Sequence, residues 1–182
     1  IIGGAMRGRK LIYSGDPRTR PMKDRAREAV FNLVGPDVVG KHALDLFAGT
    51  GALGLEALSR GAADATLIEQ HYPTASIIRQ NAALLELTDR TSVISANTFI
   101  WVARDIVPKQ SPWLVFCSPP YAFYVERQAE MLGLIVALVR QAPQGSIFVV
   151  ESDERFTPGL LPESGNWDTR TYPPAMLSML RR

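Results

Sequence analysis

Residues 114 to 123 read LVFCSPPYAF, an apolar run that ends in a polar side chain, two prolines and an aromatic. An amine attached to a nucleobase is a weak nucleophile, because its lone pair is delocalised into the ring. Acceptors that hold its N–H groups favour a more tetrahedral nitrogen aimed at an electrophilic methyl group. Consecutive prolines fix φ and offer no N–H of their own, so the Pro119 carbonyl and the Ser118 side chain can accept such bonds. Pro120 holds the corner rigid, and Tyr121 can stack on the base. Catalysis of this kind is mainly orientation and desolvation beside a reactive sulfonium donor. A Pro-Pro-Tyr sequence also fits a turn or a proline-rich ligand, but the buried run before it argues against both.

A second constellation lies in LDLFAGTGALG, where Gly49, Gly51 and Gly54 have G-x-G-x-x-G spacing between a strand-like and a helix-like run. Glycines there permit a tight turn and a close ligand approach, and the helix start supplies free N–H groups. The pattern fits nicotinamide dinucleotides, flavins and S-adenosylmethionine about equally. Asp45 favours the last, since a carboxylate in a strand buried on both faces needs a partner, and a methionine ammonium is a suitable one. The same carboxylate would repel a dinucleotide's pyrophosphate. A structural Asp bonded to backbone amides explains the position less well. Glu69 closes the next strand-like run, where a doubly wound fold places the acid that binds ribose hydroxyls. Asn97, after TSVIS, stands at a third strand end, suited to an adenine edge and equally to capping the helix that follows.

These residues require a scaffold that brings strand ends together. From about residue 43, β-like runs (HALDLFA, ATLIEQ, TSVIS, WLVFCS, SIFVVES) alternate with helical ones (GALGLEALSRG, PTASIIRQNAALLEL, NTFIWVARDIV, VERQAEMLGLIVALVRQ). Such alternation predicts an α/β, doubly wound, largely parallel sheet with ligands at the strand carboxyl ends. Upstream, IIGGAMRGRKLIYSG reads as a short hairpin. TRPMKDRAREAVFNLV reads as a helix with Pro21 in its first turn, Ala26, Ala29, Val30, Leu33 and Val34 facing the core, and Asp24, Glu28, Phe31 and Asn32 facing out. The tail, NWDTRTYPPAMLSMLRR, is expected to add a final hairpin or edge strand around Pro173-Pro174.

With 182 residues, 46% of them hydrophobic and 21% charged, the chain has the composition of one globular domain, which excludes disorder, collagen and coiled coil. Its lone Cys117 forms no intramolecular disulfide, and the first residues lack the layout of a signal peptide, so a cytoplasmic location is expected. No metal site is expected, because His42 and His71 have no ligand-spaced partners. The net charge of +2 is unevenly spread: residues 1–28 carry eight basic and three acidic side chains, and the rest carries 12 and 15. A basic arm meeting a polyanion follows from that split, as does a plain solvated terminus.

Taken together, IIGGAMRGRKL, TRPMKDRAREAVFNLV, LDLFAGTGALGLEALSRGA, TLIEQ and FCSPPY resemble the bacterial 16S ribosomal RNA guanine-N2 methyltransferase family, the RsmD group, over nearly the full chain. The resemblance implies a Rossmann-like, seven-stranded, S-adenosylmethionine-dependent fold that methylates the N2 amine of a guanine in 16S rRNA. The substrate would be that rRNA or the assembling 30S subunit. A basic N-terminal extension over residues 1–35 on a methyltransferase domain over 36–182 is expected, and a monomer. Carried over residue by residue, Asp45, Phe47, Ala48, Gly49, Thr50, Gly51, Glu69 and Asn97 match the cofactor site, and Ser118, Pro119, Pro120 and Tyr121 the catalytic corner. Arg7, Arg9, Lys10, Arg20, Arg25 and Arg27 match the region that meets rRNA. Two departures stand out. The family corner usually begins with Asp where this chain has Ser118, an uncharged side chain that is at home in some DNA amino-methyltransferases. TYPPAML replaces a glycine-containing closing hairpin. A DNA amino-methyltransferase, a nicotinamide-dependent oxidoreductase and a non-catalytic RNA-binding module are the other readings, although 182 residues leave little room for a DNA target-recognition region.

Overall fold

The structure is a computed structural model that describes residues 1–13, 15, 24–104, 111–163 and 165–182. Five parallel strands form most of its sheet: β1 (His42–Asp45), β2 (Asp64–Ile68), β3 (Thr91–Ile94), β4 (Trp113–Cys117) and β5 (Ile147–Ser152). The tail supplies β6 (Asp168–Tyr172) and β7 (Ala175–Arg181), and the sheet order is β3-β2-β1-β4-β5-β7-β6. The expected closing hairpin is therefore present. It returns through Pro173-Pro174, joined by a cis peptide bond, and β7 pairs antiparallel with both β5 and β6. Strand β6 is left at the edge and mostly exposed, whereas β1, β4 and β5 are buried throughout. The apolar runs of the central strands follow from that double-sided burial.

The helices are α1 (Asp24–Val34), α2 (Ala52–Ser59), α3 (Tyr72–Leu84), α4 (Thr98–Arg104), α5 (Phe123–Glu126) and α6 (Gln128–Gln141). They help to form two apolar clusters. One gathers α1, α2 and α3 residues such as Val30, Leu55 and Ile78 with Leu67, Leu114 and Phe116 of the sheet. The other gathers α6 residues such as Met131 and Leu138 with Val115 and Phe148. No helix among the described residues is long and apolar enough to cross a membrane.

Three expectations upstream of β1 need correction. Residues 1–10 form turns rather than strands, folded back by a bond from the Gly8 N–H to the Ile1 carbonyl at 3.0 Å. This segment is held from outside: the Ile2 and Gly3 N–H groups donate to the Glu56 carboxylate at 2.8 and 2.7 Å, and the Ala5 N–H donates to the Ser59 carbonyl at 2.8 Å. Phe31, expected to face outward, is buried, with its ring 5.6 Å from that of Phe116 and the Arg60 guanidinium 4.7 Å from its centroid. Ala26, expected in the core, is only half-buried. Helix α1 thus buries a wider face than one stripe, because it packs on the sheet and on α2 together. The expected place of Pro21 lies outside the described residues.

Candidate active site

Four strand ends meet at one rim of the sheet. Just beyond β1, the Ala48 N–H donates to the Ile68 carbonyl at 2.9 Å and the Gly51 N–H to the Ala48 carbonyl at 2.7 Å. The turn needs the left-handed region, with φ at 53° for Gly49 and 82° for Gly51, which glycine enters at little cost. Gly54 serves close packing instead, since a Cβ there would stand 2.8 Å from Leu67 Cδ2. Thr50 is buried, and its carbonyl accepts from Asn81 Nδ2 at 3.2 Å. Asn81 also exchanges bonds with the Ile12 backbone, so the basic arm passes directly behind the glycine loop.

Asp45 is 1% exposed. Its Oδ2 accepts from the Gly54 N–H at 3.1 Å, while its Oδ1 has no donor among the described residues. Desolvation pushes its carboxyl up to about 7, with the bond from Gly54 opposing the shift. A buried acceptor without a donor fits a cationic ligand group such as an amino acid ammonium. Glu69 follows β2, and its two oxygens accept from the Gly49 N–H at 3.0 Å and the His71 N–H at 2.8 Å. It ties the glycine loop to the second strand and keeps further lone pairs for hydroxyl donors. Asn97 Oδ1 caps α4, accepting from the N–H groups of Phe99 at 3.0 Å and Ile100 at 3.3 Å. That agrees with the capping role and leaves its amide N–H groups for another acceptor.

Beyond β4, the Pro120 carbonyl accepts from the Phe123 N–H at 2.9 Å, while the Pro119 carbonyl accepts from no described backbone N–H. Ser118 Oγ donates to Glu151 Oε2, and the Tyr121 hydroxyl donates to Glu151 Oε1 at 2.6 Å. Burial holds the Glu151 carboxyl above its ordinary range, with the bond from Tyr121 opposing. Burial and Glu151 together hold the Tyr121 phenol far above its own. Cys117, also buried, has its thiol pushed up to about 12 by desolvation, which makes it an inert packing residue.

Phe47, Phe99 and Phe123, one ring beside each of three strand ends, form a triangle with centroids 6.0, 6.2 and 6.1 Å apart. The Arg127 guanidinium lies 4.1 Å from the Phe99 centroid and 5.1 Å from that of Phe123. All three rings are half-buried, so they form a stacking wall at the rim. The sequence reasoning found Phe47 but missed Phe99, Phe123 and Glu151. The signal available for them was position, two residues after Asn97, two after Tyr121, and near the end of the fifth strand.

The basic residues divide. Arg7, Arg9, Lys10 and Arg25 are exposed, and Arg20 lies outside the described residues. Arg27 corrects an expectation: it is 7% exposed, bonds to Asp24 at 2.8 Å and approaches Glu56 at 3.8 Å. It is a buried partner of a structural carboxylate, not part of a surface for RNA. Arg25 instead lines a shallow groove with Glu28, Asn32 and Tyr172. His42 and His71 are engaged by Asp64 and Thr74.

Among known proteins, ribosomal RNA small subunit methyltransferase D of Escherichia coli strain K12 is 44% identical over 66% of this chain. The matched segment spans only 59% of that relative's length. The protein of the same name from Haemophilus influenzae is 33% identical over 92% of this chain and 83% of its own. The solved Escherichia coli protein yhhF superposes at a TM-score of 0.79 with 33% identity, covering 98% of this chain and 94% of that one. An RNA methyltransferase of Salinibacter ruber, solved with S-adenosyl-L-homocysteine, reaches 0.66 over 88% of this chain and 92% of that one; at 17% identity it shares the fold alone. The model of the family described as Conserved hypothetical protein 95 matches residues 1–179, and the chain belongs to that family, the one of ribosomal RNA small subunit methyltransferase D.

Proposed function

We propose that this chain transfers a methyl group from S-adenosylmethionine to the N2 amine of a guanine in 16S rRNA. The observation that carries the reading is that Asp45, Glu69, Asn97 and the Ser118–Tyr121 corner stand at the carboxyl ends of four neighbouring parallel strands. Asp45 would take the donor's ammonium on its unpaired Oδ1, Glu69 its ribose hydroxyls and Asn97 its adenine edge. The donor, when bound, supplies an electrophilic methyl on sulfonium. The chain's own part is to place the amine: the Pro119 carbonyl and Ser118 Oγ accept its N–H groups, Tyr121 and the phenylalanine wall exclude water, and the exposed Arg7, Arg9, Lys10 and Arg25 meet phosphates. Ser118 alone pointed toward a DNA acceptor; the Glu151 carboxylate bonded to it supports a guanine acceptor, because it supplies charge beside the corner.

The test is methyl transfer from labelled S-adenosylmethionine to naked 16S rRNA, to 30S subunits lacking the modification and to duplex DNA. Label recovered as N2-methylguanosine from rRNA or subunits is expected. Label in DNA alone, or label in another nucleoside, would refute the reading.

A further inference from the structure

Glu151 sits on β5 next to the corner because the parallel register pairs Cys117 with Val150, which brings the following residue of each strand side by side. It is 8% exposed, and both its oxygens are held by hydroxyls, Ser118 Oγ on Oε2 and Tyr121 on Oε1 at 2.6 Å. No Lys or Arg among the described residues forms a salt bridge to it. A carboxylate buried with two neutral donors and no cation is a costly arrangement, and an apolar residue would serve packing better. Its hydrogen bonds tie it to both polar side chains of the corner, Ser118 and Tyr121.

We propose that Glu151 is a positioning residue that supplies the negative charge of the catalytic corner through Ser118. The inference rests on the methyl-transfer reading. Because the Ser118 proton is committed to Glu151, Oγ presents only lone pairs to the crevice and acts as a fixed acceptor for the amine N–H. As the N–C bond forms with the amine's electron pair, the S–C bond of the sulfonium donor breaks and its pair stays on sulfur. The nitrogen becomes cationic and gives a proton to Ser118 Oγ, while the Ser118 proton passes to Glu151. One methyl has then moved, and one proton rests on the Glu151 carboxyl until solvent takes it. The negative charge thus stands one hydrogen bond behind the first corner position, and Tyr121 keeps it in place.

A double-mutant cycle on the full chain tests this, with Glu151→Gln, Ser118→Asp and the pair assayed for kcat and KM on 30S subunits and on naked 16S rRNA. Binding of S-adenosylhomocysteine and thermal stability are measured beside them. With Ser118 in place, Glu151→Gln should lower kcat roughly 100-fold, the scale of a lost acid–base contribution, with cofactor affinity changed less than about twofold. With Asp at 118, the same change should cost less than about threefold, because the charge no longer has to arrive from β5. Full activity of Glu151→Gln, or an equal loss in both backgrounds, overturns the inference and leaves the methyl-transfer reading standing. Absence of transfer by the wild-type chain to either acceptor overturns both. If Glu151→Gln does not fold, Glu151→Asp in the two backgrounds decides: a fall in kcat with Ser118 in place that shrinks below about threefold with Asp at 118 supports the relay, and an equal fall in both refutes it.

Discussion

Replacing Asp45 by Asn should stabilise the free protein at alkaline pH while abolishing its hold on the cofactor. The carboxyl is raised from its ordinary 3.8 to about 7 because it is fully buried. Between those values the folded state binds more protons than the unfolded chain, so stability falls as pH rises from about 4 to about 7 and levels off above. The gap of about three pH units is worth about 4 kcal/mol at pH 8. Asparagine removes that penalty and can keep the bond from the Gly54 N–H, but it puts an unpaired amide N–H where Oδ1 was, at about 1–3 kcal/mol. A net gain of roughly 1–3 kcal/mol remains, or roughly 2–12 °C in Tm for a chain of this size, at pH 8 and not at pH 5. The assay is thermal unfolding of both proteins from pH 5 to 8.5, without and with S-adenosylmethionine. The Tm difference should open as pH rises, and the ligand should raise the Tm of the wild type alone. In the wild type, ligand affinity should strengthen from pH 5.5 to 7, because an ammonium beside Oδ1 favours the ionised carboxylate. A Tm difference that is the same at pH 5 and pH 8 would refute the burial argument, and equal ligand stabilisation of both proteins would refute the role in binding.

Glu56 is fully buried and accepts from the Ile2 and Gly3 N–H groups and from Arg60 Nε at 2.8 Å. Glu56→Ala leaves these donors without their buried acceptor and takes a carboxylate from beside Arg27, so it should cost about 3–5 kcal/mol and make residues 1–10 susceptible to limited proteolysis. Gly54→Val forces a side chain against Leu67, with the new Cβ 2.8 Å from Cδ2; a loss of about 1–3 kcal/mol is expected in denaturant titration. Converting Arg7, Arg9 and Lys10 together to Ala should leave S-adenosylmethionine binding intact and reduce the salt dependence of rRNA affinity by roughly 0.7 per lost single-strand phosphate contact. Arg27→Ala, by contrast, should lower Tm without changing that salt dependence.

Much of the scaffold was legible because its signals are local. The alternation of β-like and helical runs marks the strands and helices, and Pro173-Pro174 marks a turn beside an edge strand. Asp45, Glu69, Asn97 and Ser118 could be placed at strand ends from that alternation alone. The burial of Phe31 and Arg27 was not legible, because a single-stripe reading of α1 assumes one packing partner, whereas the helix meets both Phe116 and the Glu56–Arg60 side of α2. The N-terminal turns were misread as a hairpin for a similar reason: their backbone donors go to Glu56 and Ser59, more than fifty residues away.

The sheet type, the glycine turn and the rigid corner are written into short stretches of chain, since each depends on backbone preferences or periodicities confined to a few residues. What stands behind the corner is set by long-range packing. Ser118 and Glu151 are separated by 33 residues, and their contact depends on the β4–β5 register, which no local pattern specifies. Serine therefore reads as an uncharged residue in the chain and as one end of a carboxylate pair in the fold.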